Sequence, residues 1–311
     1  MSELLTILTL QGGYNTVVVM VGSAAFGIAC GAIGVFTMLR RRALVSDAIA
    51  HATLPGVAAG FLLGSWLGYP SRSVALLTIG ALMTAILAAA AIQALSRRPR
   101  ITPDTATAAA LGASFGLGVA LLSIVQTLRT GGQAGLDAYL LGSTAGMLLA
   151  EAQLIGALGF VVVLSVCLCL KELSAVAFDS DFAQTSGLPV ARLDALVAAL
   201  SLACVVSGLR IVGLVLAVAL LVIPPAAARF WSNHIGVVAA LSAAMGGASA
   251  YLGAAASAGI PDLPTGAVIV LIAAAFFTIS FLFGPARGVL MRARGSRRAL
   301  AYRPSSLESS A

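Results

Sequence analysis

Arg40-Arg41-Arg42-Ala43-Leu44-Val45-Ser46-Asp47-Ala48-Ile49-Ala50-His51-Ala52-Thr53-Leu54-Pro55-Gly56 runs from three consecutive arginines straight into an apolar segment that holds an aspartate and a histidine. Asp47 and His51 are four residues apart, close to one helical turn, so on a helix both side chains leave the same face. The segment stays apolar to about residue 67, enough to cross a bilayer, which takes about 20 residues. A carboxylate inside such a span is expensive and marks an ion or substrate pathway. Carboxylate oxygen plus imidazole nitrogen suits a divalent transition metal. Only two histidines occur in 311 residues, and one sits here. The competing structural account is a helix-start aspartate paired with Arg40 to Arg42, beside a histidine bonded to a backbone carbonyl. Ser46, Ala48, Ala50, Ala52 and Thr53 surround the pair with small side chains, which leaves room for a pathway or a tight interface. Pro55 removes a helix hydrogen bond and Gly56 loosens the backbone beside it, so a kink is expected one turn beyond the pair.

Composition supports a membrane solvent. The chain is 60% hydrophobic and 9% charged, with a mean hydropathy of +1.04, whereas globular domains carry about 25% charged residues. Thirty-three glycines and abundant alanine fit closely packed spans. Aromatic content is 6% and no ten-residue alternating segments occur, which argues against a transmembrane barrel. Cys30, Cys167, Cys169 and Cys204 all lie in apolar runs, form no CxxC and are expected to be packing residues. The N-terminus holds Glu3 and no basic region, so the first span is expected to be retained rather than cleaved.

Nine apolar runs can be traced, at roughly 15–39, 44–67, 73–95, 104–128, 150–170, 193–209, 211–228, 236–258 and 266–284. The two short runs flanking Arg210 read either as a broken hairpin or as two tilted spans. Residues 136–147 are too few to span and read as an interfacial or re-entrant helix. With the N-terminus outside and the C-terminus inside, fifteen basic residues fall inside and three (Arg72, Arg129 and Arg210) outside. That is the bias expected of cytoplasmic loops, although six of the fifteen come from the C-terminal tail. The +7 net charge therefore reads as membrane topology rather than as a nucleic-acid face. The expectation is an all-α, multi-pass protein of the cytoplasmic (inner) membrane. Residues 1–284 form one transmembrane domain with an inner polar loop at about 171–192, and 285–311 form a basic tail disordered at its end.

That inner loop contains Phe178-Asp179-Ser180-Asp181-Phe182-Ala183-Gln184-Thr185-Ser186-Gly187. Asp179 stands where a short helix would begin, and Gly187 where it would stop. Phe178, Phe182 and Ala183 offer apolar contacts on one side, as a docking helix for a cytoplasmic partner would; an ordinary capped loop helix is the alternative. Pro224-Pro225 is expected to break a span at its inner end. Asp262, between Pro261 and Pro264, reads as a turn residue near the outer mouth, and His234 beside Asn233 as solvated. No Walker A lysine motif, HExxH or CxxC occurs, so nothing supports ATP hydrolysis by the chain itself or zinc-finger chemistry.

Taken together, Ser46-Asp47-Ala48 through His51, Leu54-Pro55-Gly56, the Phe178-Asp179 to Gly187-Leu188-Pro189 loop, Val212-Gly213 through Ile223-Pro224, and Pro264-Thr265-Gly266 resemble the integral membrane permeases of manganese, zinc and iron ABC importers. The resemblance covers about residues 15 to 284. It implies a half-transporter: two permease copies or paralogues form the pathway, ABC ATPase subunits dock below, and an extracytoplasmic metal-binding protein delivers the ion. It makes Asp47 and His51 the metal-contacting pair. It makes the segment holding Phe178, Asp179, Asp181, Phe182, Ala183 and Gly187 the coupling helix that sits in the ATPase. The Leu54-Pro55-Gly56 form is closer to manganese- and iron-type members than to zinc-type ones. Ser46 and Ala50 stand where the family commonly has glycine and serine. Two pairs about a two-fold axis would supply an Asp2His2 set, sparse enough to release its ion. Implied are transport of a divalent metal (Mn2+ first, Zn2+ or Fe2+ next), no permanently bound cofactor, and contacts with lipid but not with nucleic acid. Two rivals are a stand-alone secondary metal carrier using Asp47 as a proton-linked site, and an intramembrane enzyme using Asp47 and His51 as acid and base. The second lacks a further nucleophile or ligand.

Overall fold

The structure, a computed structural model, describes residues 9, 13–40, 43–67, 74–127, 146–260 and 263–291. Every regular element among the described residues is helical. The main helices are α1 (Tyr14–Leu39), α2 (Ala43–Trp66), α3 (Val74–Ser96), α4 (Pro103–Thr127), α5 (Leu149–Leu168), α6 (Leu170–Phe178), α7 (Ser180–Thr185), α8 (Val190–Ile211), α9 (Leu214–Ala228), α10 (Ile235–Gly259) and α11 (Thr265–Phe283). Eight are long and apolar enough to cross a membrane; α9 is apolar but shorter. Leaving aside the short α6 and α7, these helices match the nine apolar runs. The interfacial helix expected at 136–147 (all but its last two residues), Asp262, Arg41, Arg42 and the tail from Arg292 lie outside the described residues.

Two groups of helices share the work. Helix α1 is the axis of one, packed by α5, α9 and α10, with α11 behind α9 and α10; α2, α3 and α4 form the other, and α8 touches both. Lipid is as apolar as leucine, so helices in it associate through close backbone approach at small residues. The contacts follow that rule. A Cβ on Gly27 would strike the Gly246 carbonyl, and one on Gly246 would strike that of Gly27. Gly56 of α2 and Gly80 of α3 make the same reciprocal contact.

Pro224 and Pro225 do not end the helix as expected; α9 continues through them to Ala228. Prolines lack N–H groups, so the carbonyls of Leu220 and Leu221 lose their helical donors. The Leu221 oxygen lies against Gly34 of α1, where any side chain would collide with it. The neighbouring helix thus supplies the close polarised contact that lets prolines persist in a span.

The runs around Arg210 form a hairpin. Gly213 turns the chain at φ 84° and ψ 159°, a region open in practice only to glycine, and Gly208 packs on Ala217 across the turn. The return leg brings Ala226 and Arg229 to the same cleft as Met38 and Arg287. The Arg-rich ends of α1, α9 and α11 therefore share one end of the molecule, as the alternation of charge requires. Of the four cysteines, Cys30 and Cys204 are buried and Cys169 half-buried, but Cys167 is exposed on the outer face of α5, so packing in the core does not describe all four.

Substituting valine for Gly27 or Gly246 should lower the thermal unfolding midpoint in detergent, because overpacking a close crossing costs about 1–3 kcal/mol. Gly156→Ala, where nothing lies within 4 Å of the added carbon, should leave it unchanged or slightly raised.

Candidate metal pathway and coupling loop

Helix α2 carries the acid and the imidazole, and its neighbours determine which way they look. Ala48, Ile49, Ala50, Ala52 and Thr53 are all buried. The small residues around the pair thus form a tight interface on the inner faces of the helix. Ile49 meets Ala85 of α3 and Val206 of α8 in one apolar cluster. Asp47 and His51 emerge on the remaining side, with side chains 36% and 27% exposed, and His51 Nε2 stands 3.6 Å from Asp47 Oδ1. That is near enough for joint coordination and too long for a hydrogen bond.

The imidazole is held by packing. Its ring meets Phe115 of α4 edge-to-face at 5.4 Å, and its buried Nδ1 has no hydrogen-bond partner. One turn on, Pro55 has no N–H to give to the His51 carbonyl. The ring of Pro55 rests on Gly118 of α4, where a Cβ would crowd Leu54 and Pro55. Phe115 and Gly118, three residues apart on α4, therefore seat the imidazole and the proline together. Neither stood out in the sequence; an aromatic residue and a glycine three apart on one helix face is the signal that could have found them.

Arg40 does not pair with Asp47. Its guanidinium donates to Asp194 Oδ2 of α8 at 2.7 Å and to the Val176 carbonyl of α6 at 3.0 Å. Both charged side chains are largely buried, at 17% and 14% exposure. This clamp ties the end of α1 to the polar loop and to the first turns of α8. Sequence reasoning missed it because its members lie on three separate segments. Among the described residues no third His, Cys, Asp or Glu joins Asp47 and His51.

The polar loop folds as two short helices. Asp179 caps α7, its Oδ1 accepting from the amides of Asp181 and Phe182, both at 3.0 Å. Gly187 closes it at φ 84°: its N–H donates to the Gln184 carbonyl while that of Leu188 donates to Ala183, the paired bonds of a Schellman stop. Phe178 and Phe182 are 90% and 67% exposed. Ala183 is not beside them on the outer face; it is 1% exposed and packs into the protein's own core. In so short a helix the residue after Phe182 turns about 100° away. Ala183 therefore anchors what Phe178 and Phe182 display. His234 is exposed ahead of α10, as expected of a solvated residue.

The sequence pattern of the ABC 3 transport family matches residues 14–284. The chain belongs to the ABC 3 transport family. It is 36% identical over 292 residues to the zinc transport system membrane protein TroC of Treponema pallidum, covering 94% of this chain and 96% of that one. It is 35% identical to the manganese transport system membrane protein MntC of Halalkalibacterium halodurans, covering 88% of each. The chelated iron transport system membrane protein YfeC of Yersinia pestis is 30% identical, covering 86% of each. A chain of PsaBC from Streptococcus pneumoniae, solved in complex with Fab, superposes with a TM-score of 0.74 at 29% identity, covering 93% and 97% of the two chains. An inward-facing metal-chelate type ABC transporter, at 19% identity and a TM-score of 0.64, shares the fold. Members of this family are multi-pass membrane permeases, and the chain is such a subunit rather than an enzyme.

Removing one partner of a buried ion pair costs about 3–5 kcal/mol. Arg40→Gln should accordingly lower the unfolding midpoint in detergent and raise amide hydrogen exchange in 172–194 more than elsewhere.

Proposed function

We propose that the chain forms the translocation pathway of an ATP-driven importer of divalent metal, working as a dimer with a second copy or a paralogue. Manganese is put first, with zinc or iron next. The observation that carries this is the Asp47/His51 pair: one carboxylate and one imidazole on a common helix face, 3.6 Å apart and partly open. Oxygen and nitrogen donors without a thiolate suit Mn, Fe or Zn, and the relatives' names cover the same three metals. Manganese leads on the Leu54-Pro55-Gly56 pattern.

Two donors make a weak site, and a second copy would complete it as Asp2His2. The face beside the pair suits such a partner. On α4, Gly112 and Gly116 flank Phe115 with nothing within 4 Å, and Phe115, Leu117 and Val119 are exposed. Small residues four apart on an open helix face favour a close helix–helix crossing.

Phe178 and Phe182 would enter ABC ATPase subunits on the arginine-rich, cytoplasmic side, while an extracytoplasmic metal-binding protein would deliver the ion on the other. ATP-driven closure of the ATPases would push α7. The Arg40 clamp would pass that push to α8, and Val206 and Leu209 of α8 press on the helix that carries the metal pair. Access to Asp47 and His51 would alternate between the two sides.

Manganese uptake, measured in cells carrying the whole system, should fall at least about ten-fold, roughly 1.4 kcal/mol, in Asp47→Ala and in His51→Ala. Unchanged uptake in both would reject the site. Uptake surviving an ATPase subunit unable to hydrolyse ATP would favour the stand-alone carrier. Phe178→Asp combined with Phe182→Asp should abolish co-purification of the ATPase without shifting the permease's own unfolding midpoint, since both rings are exposed.

A further inference from the structure

At the arginine-rich end, the exits of α1, α9 and α11 enclose a cleft of about 390 Å3, within the ~300–1,000 Å3 of small-ligand sites. Its walls divide by chemistry. Phe230, Phe277 and Phe281 interlock, with ring centroids 5.6–6.3 Å apart, and Met38 adds to the apolar side. Arg229 and Arg287 supply the polar side.

The two cations are brought together by the backbone. The Ala286 N–H donates to the Phe230 carbonyl at 3.0 Å, which docks the turn after α11 on the residue following Arg229. Trp231 Nε1 donates to Ser280 Oγ at 2.9 Å and pins the same junction. Gly284 has no room for a side chain against Phe230. Arg287 donates to a neutral acceptor, Asn233 Oδ1, at 3.3 Å. Among the described residues no carboxylate pairs with either arginine. Burial first, and then the charge of Arg287, lower the pKa of Arg229 from its usual value. Two guanidinium groups held together without a counter-charge are a standing cost that an anion would relieve.

We infer that this cleft binds an anionic phospholipid, its phosphate between Arg229 and Arg287 and its glycerol and upper acyl carbons on the three phenylalanines and Met38. Charge and position select that occupant. The cleft lies at the ends of membrane-spanning helices, where headgroups reside, and joins a cationic lip to an apolar floor, as basic pockets between spans do for headgroups. Sequence beyond the cleft adds Arg292, Arg294, Arg297 and Arg298, a basic run of the kind that favours an anionic leaflet. A free phosphate shares the arginine chemistry but has no use for the rings.

The test uses the purified full-length permease in detergent, titrated with dioleoyl-phosphatidylglycerol, dioleoyl-phosphatidylcholine or inorganic phosphate. Bound lipid is counted by native mass spectrometry and stability by thermal unfolding. Phosphatidylglycerol should bind and raise the midpoint, phosphatidylcholine should do neither to the same degree, and Arg229→Gln with Arg287→Gln should weaken the phosphatidylglycerol response roughly ten-fold. The tail arginines are intact in that variant, so the part lost belongs to the cleft. Arg287→Gln alone, at an exposed position, keeps the test valid if the double variant folds poorly; it should lose part of the same response. Equal responses to the two lipids, or no change in any variant, would overturn the inference. A phosphate response matching that of phosphatidylglycerol would reassign the cleft to a free anion. Loss of ATPase co-purification in the variants with an unchanged lipid response would reassign the arginines to a protein contact.

Discussion

Helices in a bilayer gain nothing from hiding leucine among lipid tails, so their backbones must touch, and this molecule is organised around the places where they do. Gly27 against Gly246 and Gly56 against Gly80 are reciprocal glycine crossings, each leaving no space for a side chain. They fall on α1 and α2, the two most enclosed spans. The two prolines that would trouble a helix in water are absorbed in the same way: Gly34 receives the carbonyl that Pro225 leaves free, and Gly118 receives the ring of Pro55. Once α2 is fixed by these contacts, the direction of Asp47 and His51 is no longer adjustable. They occupy the one side of the helix that its neighbours leave open.

Much of this was legible in the chain because membrane physics writes in lengths and spacings. Nine apolar runs became nine helices, four-residue spacing put acid and imidazole on one face, and an aspartate and a glycine marked the ends of a six-residue helix that uses both. What escaped depended on partners distant in sequence. Nothing around Pro224-Pro225 announces that Gly34 lies opposite. Nothing around Arg40 in the sequence announces that it reaches Asp194, 154 residues away. Ala183 was misjudged for a local reason: hydrophobic character was read without its angle around the helix axis, and one residue separates a displayed ring from a buried anchor.

Charge is sorted with the same economy. Inside the apolar layer the described chain places an unsatisfied imidazole nitrogen beside one carboxylate. At the arginine-rich end, the guanidinium groups have different lives. Arg40 is spent internally on a carboxylate and a carbonyl. Arg229 and Arg287 are brought together by backbone geometry, and among the described residues no carboxylate pairs with either. The basic excess that first looks like a topological label thus contains at least two distinct devices, one that fastens helices and one that leaves positive charge unanswered.

The glycine at the far turn of the α8–α9 hairpin has a mechanical corollary. Gly213 is buried in a conformation that other residues avoid, so that tip would act as a fulcrum for any movement at the Asp194 end, which the Arg40 clamp ties to the loop. At about 1.5 Å per residue, Val206 stands roughly a third as far from the fulcrum as Asp194 does. A sideways stroke at the rim would therefore arrive at α2 shortened about three-fold: a long, soft movement among solvated loops geared down to a short, firm one beside Asp47 and His51.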